Sequence, residues 1–526
     1  MILYSWDYME ALSSVDVEVI SKETIKPTTP TPYQLRNFNL SLLDQYCPIV
    51  YVPIILFYPA AVTNSSGSKH HDDLNLLKSS LSETLGQFYP LAGRMKDNIV
   101  VDCNDEGIDF IEVKIKSKLC DFMMNPDVRL SLLLPSGVVS MNFVKEAQVI
   151  VQVNIFDCGG TAISVSISHK IADAATMSTF TRYWAATTNT ARLGGAIGPP
   201  NTNPLFLPSF DSASLFPPNE QLASQSAMPS VTYPTEDSRR HIVVSKRFVF
   251  DAVKLKSVRE KLQVLMHDKY RSRKPTRVEV VSALIWKAAM KSAPSGASST
   301  VNHAVNFRKK MDPPLQDVSF GNLCQVVAAL LPATTPGASP TVNHAVNLRK
   351  KMDPPLQDES FGNLCKAVTA ILPATTTTTT TKNEDNKTIN STSNEVQVAV
   401  LHELNDFIAQ LRSEIDKVKG DKDCMEKIIQ NFMNGYEYAT TKKKNDVEDE
   451  VITLWMTSWC NMGLYETDFG WGKPIWVTTD PNIKPNKNII YMNDTKCGEG
   501  IEVWANFLED DMAKFEHHLS EILELF

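Results

Sequence analysis

Two histidine–aspartate pairs at one spacing offer the chemistry most readily read from this chain. His169 and Asp173 stand in SVSISHKIADAA, and His402 and Asp406 stand in HELND. A neutral imidazole can take a proton from a hydroxyl or an amine and return it within one turnover. A carboxylate four residues on could hold the segment that presents it. The spacing alone decides little, because a chain with ten histidines should show about one such pair by chance.

Context separates the two pairs. Residues 149–156 read as a half-buried strand, and Gly159-Gly160 reads as a turn. After it Ile163, Val165 and Ile167 alternate with Ser164, Ser166 and Ser168, so a hairpin ends at His169. Active groups are commonly held where a rigid element gives way to a loop. On these residues alone, an ordinary core histidine with a backbone partner is an equal reading. His402 and Asp406 fall on a helical repeat of Leu401, Leu404, Ile408, Leu411, Ile415 and Val418, off its apolar stripe and beside Glu403, Asn405 and Gln410. That context predicts a solvated i, i+4 pair worth a few tenths of a kcal/mol.

Other chemistries lack their residues. No G-x-S-x-G elbow, G-x-x-x-x-G-K-[ST] phosphate loop or G-x-G-x-x-G is present. No cluster of His, Cys and carboxylate is evident at metal-ligand spacing, so no metal is expected. Nine cysteines without a C-x-x-C pair predict free thiols in a reducing compartment. A net charge of −8 gives no reason to expect nucleic acid or an anionic membrane as partner. No apolar run nears the ~20 residues of a membrane span. The start MILYSWDYMEALSSVD lacks a secretory pattern, which predicts a cytoplasmic protein with unmodified sequons. No oligomeric state is set by these features.

The elements that must position His169 follow from length and periodicity. At 526 residues one core is too few, and two domains are expected. Residues 73–88 carry Leu74, Leu77, Leu81, Leu85 and Phe88 on one helical face, ended by YPLAGR. The Pro- and Gly-rich residues 187–238 read as a crossover. Thr276 and Glu279 form a candidate capping box for the next helix. Leu508, Met512, Phe515, Leu519, Ile522 and Phe526 mark a C-terminal helix.

A tandem repeat interrupts this pattern. Residues 296–335 return at 337–376 with seven differences in 40 positions and a period of 41. Each copy reads as two strands joined by a loop, only one copy is expected to fit a sheet, and the surplus should loop out with open edges. The second copy runs into a threonine-rich, low-complexity loop at 375–395.

A second motif gives the histidine its setting. YETDFGWGKPIW contains Asp468-Phe469-Gly470-Trp471-Gly472, and H-x-x-x-D followed by D-F-G-W-G is the signature pair of the plant BAHD acyltransferases. YPLAGR, TSWC at 457–460 and the N-x-R, P-P, G-N pattern of the repeat also resemble this family, in its order. VISKETIKPTTPTP, SHKIADAATMSTF and DPNIKPNKN resemble its alkaloid acetyltransferases.

The resemblance implies an α/β fold of two similar chloramphenicol-acetyltransferase-like domains, each a mixed sheet flanked by helices, with a channel between them. Its expected boundaries are a disordered extension 1–15, an N-terminal domain 16–186 carrying His169, the crossover 187–238, and a C-terminal domain 239–526 holding the repeat 296–336/337–377. It implies acetyl-CoA as co-substrate, no bound cofactor, and an alkaloid alcohol as acceptor, a morphinan alcohol first. Another alkaloid, a terpenoid or phenolic alcohol, or a non-catalytic duplicated relative are the alternatives. His169 would be the general base and Asp173 a structural residue paired with Arg308 or Arg349. Thr457 and Trp459 would be oxyanion donors, and Asp468, Phe469, Gly470, Trp471 and Gly472 would shape the coenzyme side. The basic stretch DKYRSRKPTR (268–277), with Arg273 and Lys274, and Lys287 beyond it are candidates for the coenzyme phosphates; a solvated face is the plainer reading.

Overall fold

The alternation at 161–168 does become a strand, ending just before His169, but both of its faces are covered. Ser164, Ser166 and Ser168 are as buried as Ile163, Val165 and Ile167. In the computed structural model, residues 15–60, 68–124, 126, 129–135, 146–195, 207–220, 242–266, 270–293, 298–306, 319–322, 324–331, 341–347, 365–371, 393–417, 451–482 and 487–526 are described.

The first half supplies β1 (Val17–Ile25), β2 (Asn37–Asn39), α1 (Leu42–Tyr46), β3 (Tyr51–Tyr58), α2 (Ser68–Gln87), β4 (Arg94–Met95), β5 (Val100–Asp102) and β6 (Ile108–Ile115). After these come α3 (Leu119–Met124), β7 (Val149–Phe156), β8 (Thr161–Ser168), α4 (Ala174–Arg192) and the short α5 (Ser212–Leu215). The second half supplies β9 (Val243–Phe250), α6 (Ala252–Leu265), α7 (Arg277–Ser292), β10 (Ser298–Asn306), β11 (Cys324–Leu331), β12 (Thr341–Asn347) and β13 (Cys365–Ile371). It continues with α8 (Ser393–Lys417), β14 (Val451–Ser458), β15 (Trp476–Thr478), β16 (Ile489–Asp494), β17 (Ile501–Leu508) and α9 (Glu509–Glu524).

Two mixed sheets result. The first is ordered β1-β6-β7-β8-β3-β15, with β6 and β7 parallel and the other pairs antiparallel. Along β3, Ile54, Leu56 and Tyr58 join the cluster beneath α2 and α4, while Ile55 and Phe57 join a second cluster with α3. That second cluster explains the buried serines. Their face carries a polar layer in which Asn154 Nδ2 donates to the Leu133 carbonyl at 3.0 Å and Ser164 Oγ donates to it at 2.6 Å. Ser164 is satisfied in this way, as buried polar groups mostly are, whereas the hydroxyls of Ser166 and Ser168 are buried without a hydrogen-bond partner among the described residues.

The second sheet contains β12-β10-β14-β16-β17-β9, and α6, α7, α8 and α9 contribute to its core. Both halves of the Thr276–Glu279 capping box form. Glu279 also takes Arg412, fully buried on α8, at 2.9 Å.

Several boundaries move. α4 runs through Arg192, so the crossover begins after 187. Val15, assigned to the extension 1–15, is buried with α3; residues 1–14 lie outside the described set. α8 starts at Ser393, so the low-complexity stretch 375–395 ends before it. β15 leaves the C-terminal half and pairs with β3 in the first sheet, Trp476 opposite Phe57. Apart from β15, the first sheet is built from residues 17–168 and the second from residues 243–508.

As each copy's pattern predicts, both copies of the repeat form strands. β10 and β11 pair along their length, as do β12 and β13. Only the first copy runs beside β14, from Ser298 opposite Val451 to His303 opposite Met456. The second hairpin meets the first at single pairs, Asn306 with Asn347 and Cys324 with Cys365. The first copy therefore holds the continuous place in the sheet, with β10 paired on both sides by β11 and β14, and the second hairpin pairs with it only at those two positions.

Candidate active site

His169 is the first residue beyond β8. Its backbone N–H donates to the Val50 carbonyl at 2.8 Å, and Ser168 N donates to the Gln148 carbonyl at 2.8 Å. These bonds fix the chain as it leaves the sheet. One turn later Asp173 caps α4, its carboxylate accepting from Thr176 N at 2.7 Å. The four-residue spacing thus has a structural origin: strand end, turn, helix N-cap. Asp173 is buried, and the arginines expected opposite it, Arg308 and Arg349, lie outside the described residues.

The ring is held by a residue that the sequence reading did not single out. Asn322 Nδ2 donates to the His169 carbonyl at 2.5 Å, which turns its Oδ1 toward the imidazole, 3.2 Å from Nδ1. An amide oxygen only accepts, so Nδ1 carries the proton and Nε2 keeps its lone pair. That is the tautomer a general base needs. Burial pushes the His169 pKa below its usual 6.5, outweighing the raising effects of its own backbone, of Asp173 and of Asn322.

Asn322 is anchored in turn. Its backbone N–H donates to the carboxylate of Asp44, which also closes the capping box of α1 with Ser41. Burial raises the Asp44 pKa to about 7 against the hydrogen bonds that lower it. Gly321, with φ of +121°, brings the backbone so close that a Cβ there would lie 2.7 Å from Ser212 Oγ. Next to His169, the buried Lys170 donates from Nζ to the Gln45 carbonyl at 2.7 Å, and burial lowers its pKa to about 8. Gln45 in turn bonds Asn219 of the crossover in both directions. The G-N pair of the repeat was the available signal for Asn322. Its duplicate, Gly362-Asn363, lies outside the described residues.

The remaining candidates fall in two groups. Thr457, next to the end of β14, is half-buried, and Trp459 packs with the first-half cluster that includes Ile167 and Ile171. Trp459 N already donates to the Met492 carbonyl at 2.8 Å, so its indole N–H is the donor left to serve an oxyanion. Asp468 closes a turn by accepting from Gly470 N at 2.7 Å and Gly472 N at 2.9 Å, both glycines having positive φ. Phe469 sits edge-on to Trp184 at 4.7 Å, and Trp471 lies under the Arg192 guanidinium at 5.7 Å. The D-F-G-W-G turn is thereby docked on α4, and Trp476 beyond it stacks on Phe57 at 4.7 Å.

The candidate phosphate ligands have partners within their own half. Lys287 is ion-paired with Glu403, Arg273 lies 3.5 Å from Glu279, and the carbonyl of the exposed Lys274 accepts from Arg412 at 2.9 Å. His402 is exposed on α8, as its pattern predicts. Cys47, Cys103, Cys120, Cys158, Cys460 and Cys497 are free thiols. Among the described residues, no helix is long and apolar enough to cross a membrane.

Known proteins resemble this chain along most of its length. The model of the Transferase family matches residues 15–335 and 331–522. The (13S,14R)-1,13-dihydroxy-N-methylcanadine 13-O-acetyltransferase AT1 of Papaver somniferum is 65% identical over 98% of this chain and 100% of its own length. Salutaridinol 7-O-acetyltransferase of the same plant is 64% identical, with the same coverage. The crystal structure of vinorine synthase superposes with a TM-score of 0.66 at 29% identity, over 96% of this chain and 98% of that one.

Proposed function

Because the chain belongs to the Transferase family, the BAHD acyltransferases, we propose that His169 Nε2 is its general base and a morphinan alcohol its acceptor, salutaridinol through the 7-hydroxyl first. The protein is a CoA-dependent O-acetyltransferase of a plant alkaloid, with acetyl-CoA as co-substrate and no bound cofactor. We place it in the cytoplasm, in keeping with its free thiols.

The observation that carries the mechanism is the pair of contacts from Asn322 to His169, which argues for a proton on Nδ1 and a lone pair on Nε2. Nε2 takes the acceptor's hydroxyl proton as that oxygen attacks the thioester carbonyl carbon. The tetrahedral intermediate collapses with cleavage of the C–S bond, and the imidazolium returns the proton to the departing thiolate. No acyl-enzyme forms, so both substrates are bound at once, in a channel between the two halves. A base so placed is worth about 10²–10⁴-fold. Thr457 and the Trp459 indole are the oxyanion donors in this reading, and a donor of this kind is worth about 3–4 kcal/mol. Asp173 acts by fixing the start of α4, with Arg308 or Arg349 opposite it. Asp468 to Gly472 shape the coenzyme side from the docked turn, and Arg273, Lys274 and Lys287 are candidates for its phosphates.

A second acceptor has support of its own. The 65% identity to AT1 against 64% to the salutaridinol enzyme favours neither alcohol. Competition between salutaridinol and (13S,14R)-1,13-dihydroxy-N-methylcanadine for one limiting pool of acetyl-CoA decides it. Preferential esterification of salutaridinol supports the first reading, and preferential 13-O-acetylation replaces it with the second.

A further inference from the structure

The C-terminal helix carries a cluster for which acetyl transfer has no use. His517 Nε2 lies 3.3 Å from Glu521 Oε1, and His518 Nδ1 lies 3.0 Å from Glu521 Oε2. One ligand atom from each of the three residues falls within 4.8 Å of the others. On α9 the i, i+4 and i, i+3 relations bring both histidines to the same carboxylate.

The dimensions suit a metal. With metal–nitrogen and metal–oxygen bonds near 2.1 Å, neighbouring ligands of a tetrahedral ion stand about 3.4 Å apart. Two imidazoles and one carboxylate form a ligand set that zinc accepts, with the fourth position open to water. The site is open to solvent, the three side chains being 68%, 25% and 45% exposed. The carboxylate is already held by a cation from another helix: Lys291, in the last turn of α7, places Nζ 3.1 Å from Glu521 Oε2.

We propose that His517, His518 and Glu521 bind a divalent transition-metal ion, zinc foremost, in exchange for the Lys291 ammonium. The ligands come together only on the folded helix, so binding is linked to folding and raises the unfolding temperature. No atom of the acetyl-transfer site takes part, and the proposal stands apart from the reading of His169.

Calorimetric titration of the reduced full-length chain with zinc chloride tests it. The wild type should show a binding step, and a zinc-dependent rise in unfolding temperature, that the H517A/H518A variant lacks. Lys291→Met, which removes the competing cation of an exposed ion pair, should bind about twofold to fivefold more tightly. Because the exposed thiols Cys120, Cys158 and Cys497 can also take zinc, the difference between variants is what counts. Identical titrations for wild type and H517A/H518A would overturn the site. Unchanged affinity in Lys291→Met would overturn the exchange.

Discussion

Asn322 grips His169 at two points, donating from Nδ2 to its carbonyl at 2.5 Å and presenting Oδ1 to its Nδ1 at 3.2 Å. The same residue receives its own orientation from Asp44, across the backbone N–H. The ring's tautomer therefore depends on a segment of the first repeat copy, more than a hundred residues further along the chain. Misplacing a catalytic group by about an ångström can cost 10²-fold. Asn322→Ala should lower kcat by about tenfold to a hundredfold with little change in KM, whereas Asn363→Ala, in the second copy, should leave both unchanged. Steady-state kinetics on the two variants decide which copy serves the site; the reverse pattern would assign it to the second.

The acid limb of the rate profile should report His169. Burial holds its pKa below 6.5, and only the neutral ring can accept the hydroxyl proton. Activity should thus persist as pH falls through 6.5 and fail only below it. For stability the sign is unfavourable on the acid side: the unfolded histidine binds its proton first, so this group withdraws stability as pH drops through its unfolded value. A kcat/KM profile with its acid midpoint at or above 6.5 would contradict the assignment.

Removing residues 337–377 should be tolerated. The first copy alone supplies the register with β14 and the Gly321-Asn322 pair, while the second hairpin is joined to it by single bridging pairs. The shortened protein should keep wild-type kcat and unfold no earlier than the parent. Aggregation or lost turnover would show that the second hairpin is required.

The D-F-G-W-G turn should behave as a structural clasp. Gly470 has φ of +101°, and a Cβ there would stand 2.5 Å from Arg192 Cδ. Gly470→Ala should cost about 1–2 kcal/mol from backbone conformation alone. Nearby, the buried Glu502 accepts from Trp476 Nε1 at 2.9 Å, from Thr478 Oγ1 at 3.1 Å and from Arg247 at 2.6 Å. Glu502→Ala strands those donors, at about 1–3 kcal/mol each for the ones left without water. Denaturant midpoints should fall in both variants, and an unshifted midpoint in either would remove the clasp from this account.

What the sequence disclosed followed local rules. The alternation before His169, the Thr276–Glu279 box and the apolar stripes of α2, α8 and α9 are each set by near neighbours, and each formed. What stayed hidden depends on distant partners. Ser164 looks solvent-facing until Leu133 and Asn154 close over it. Trp476 belongs to the first sheet only because Phe57 lies opposite it. Asn322 was masked by its own duplicate, since two identical G-N pairs gave no local reason to choose one.

The central claim is that His169 Nε2 moves the proton. Its most direct test is CoA release from acetyl-CoA, with salutaridinol or the dihydroxycanadine as acceptor, by wild type, His169→Ala and His402→Ala at matched folding. The account predicts esterification by the wild type and by His402→Ala, with His169→Ala reduced by about 10²-fold or more while unfolding as the parent does. Substantial turnover in a folded His169→Ala protein would contradict it.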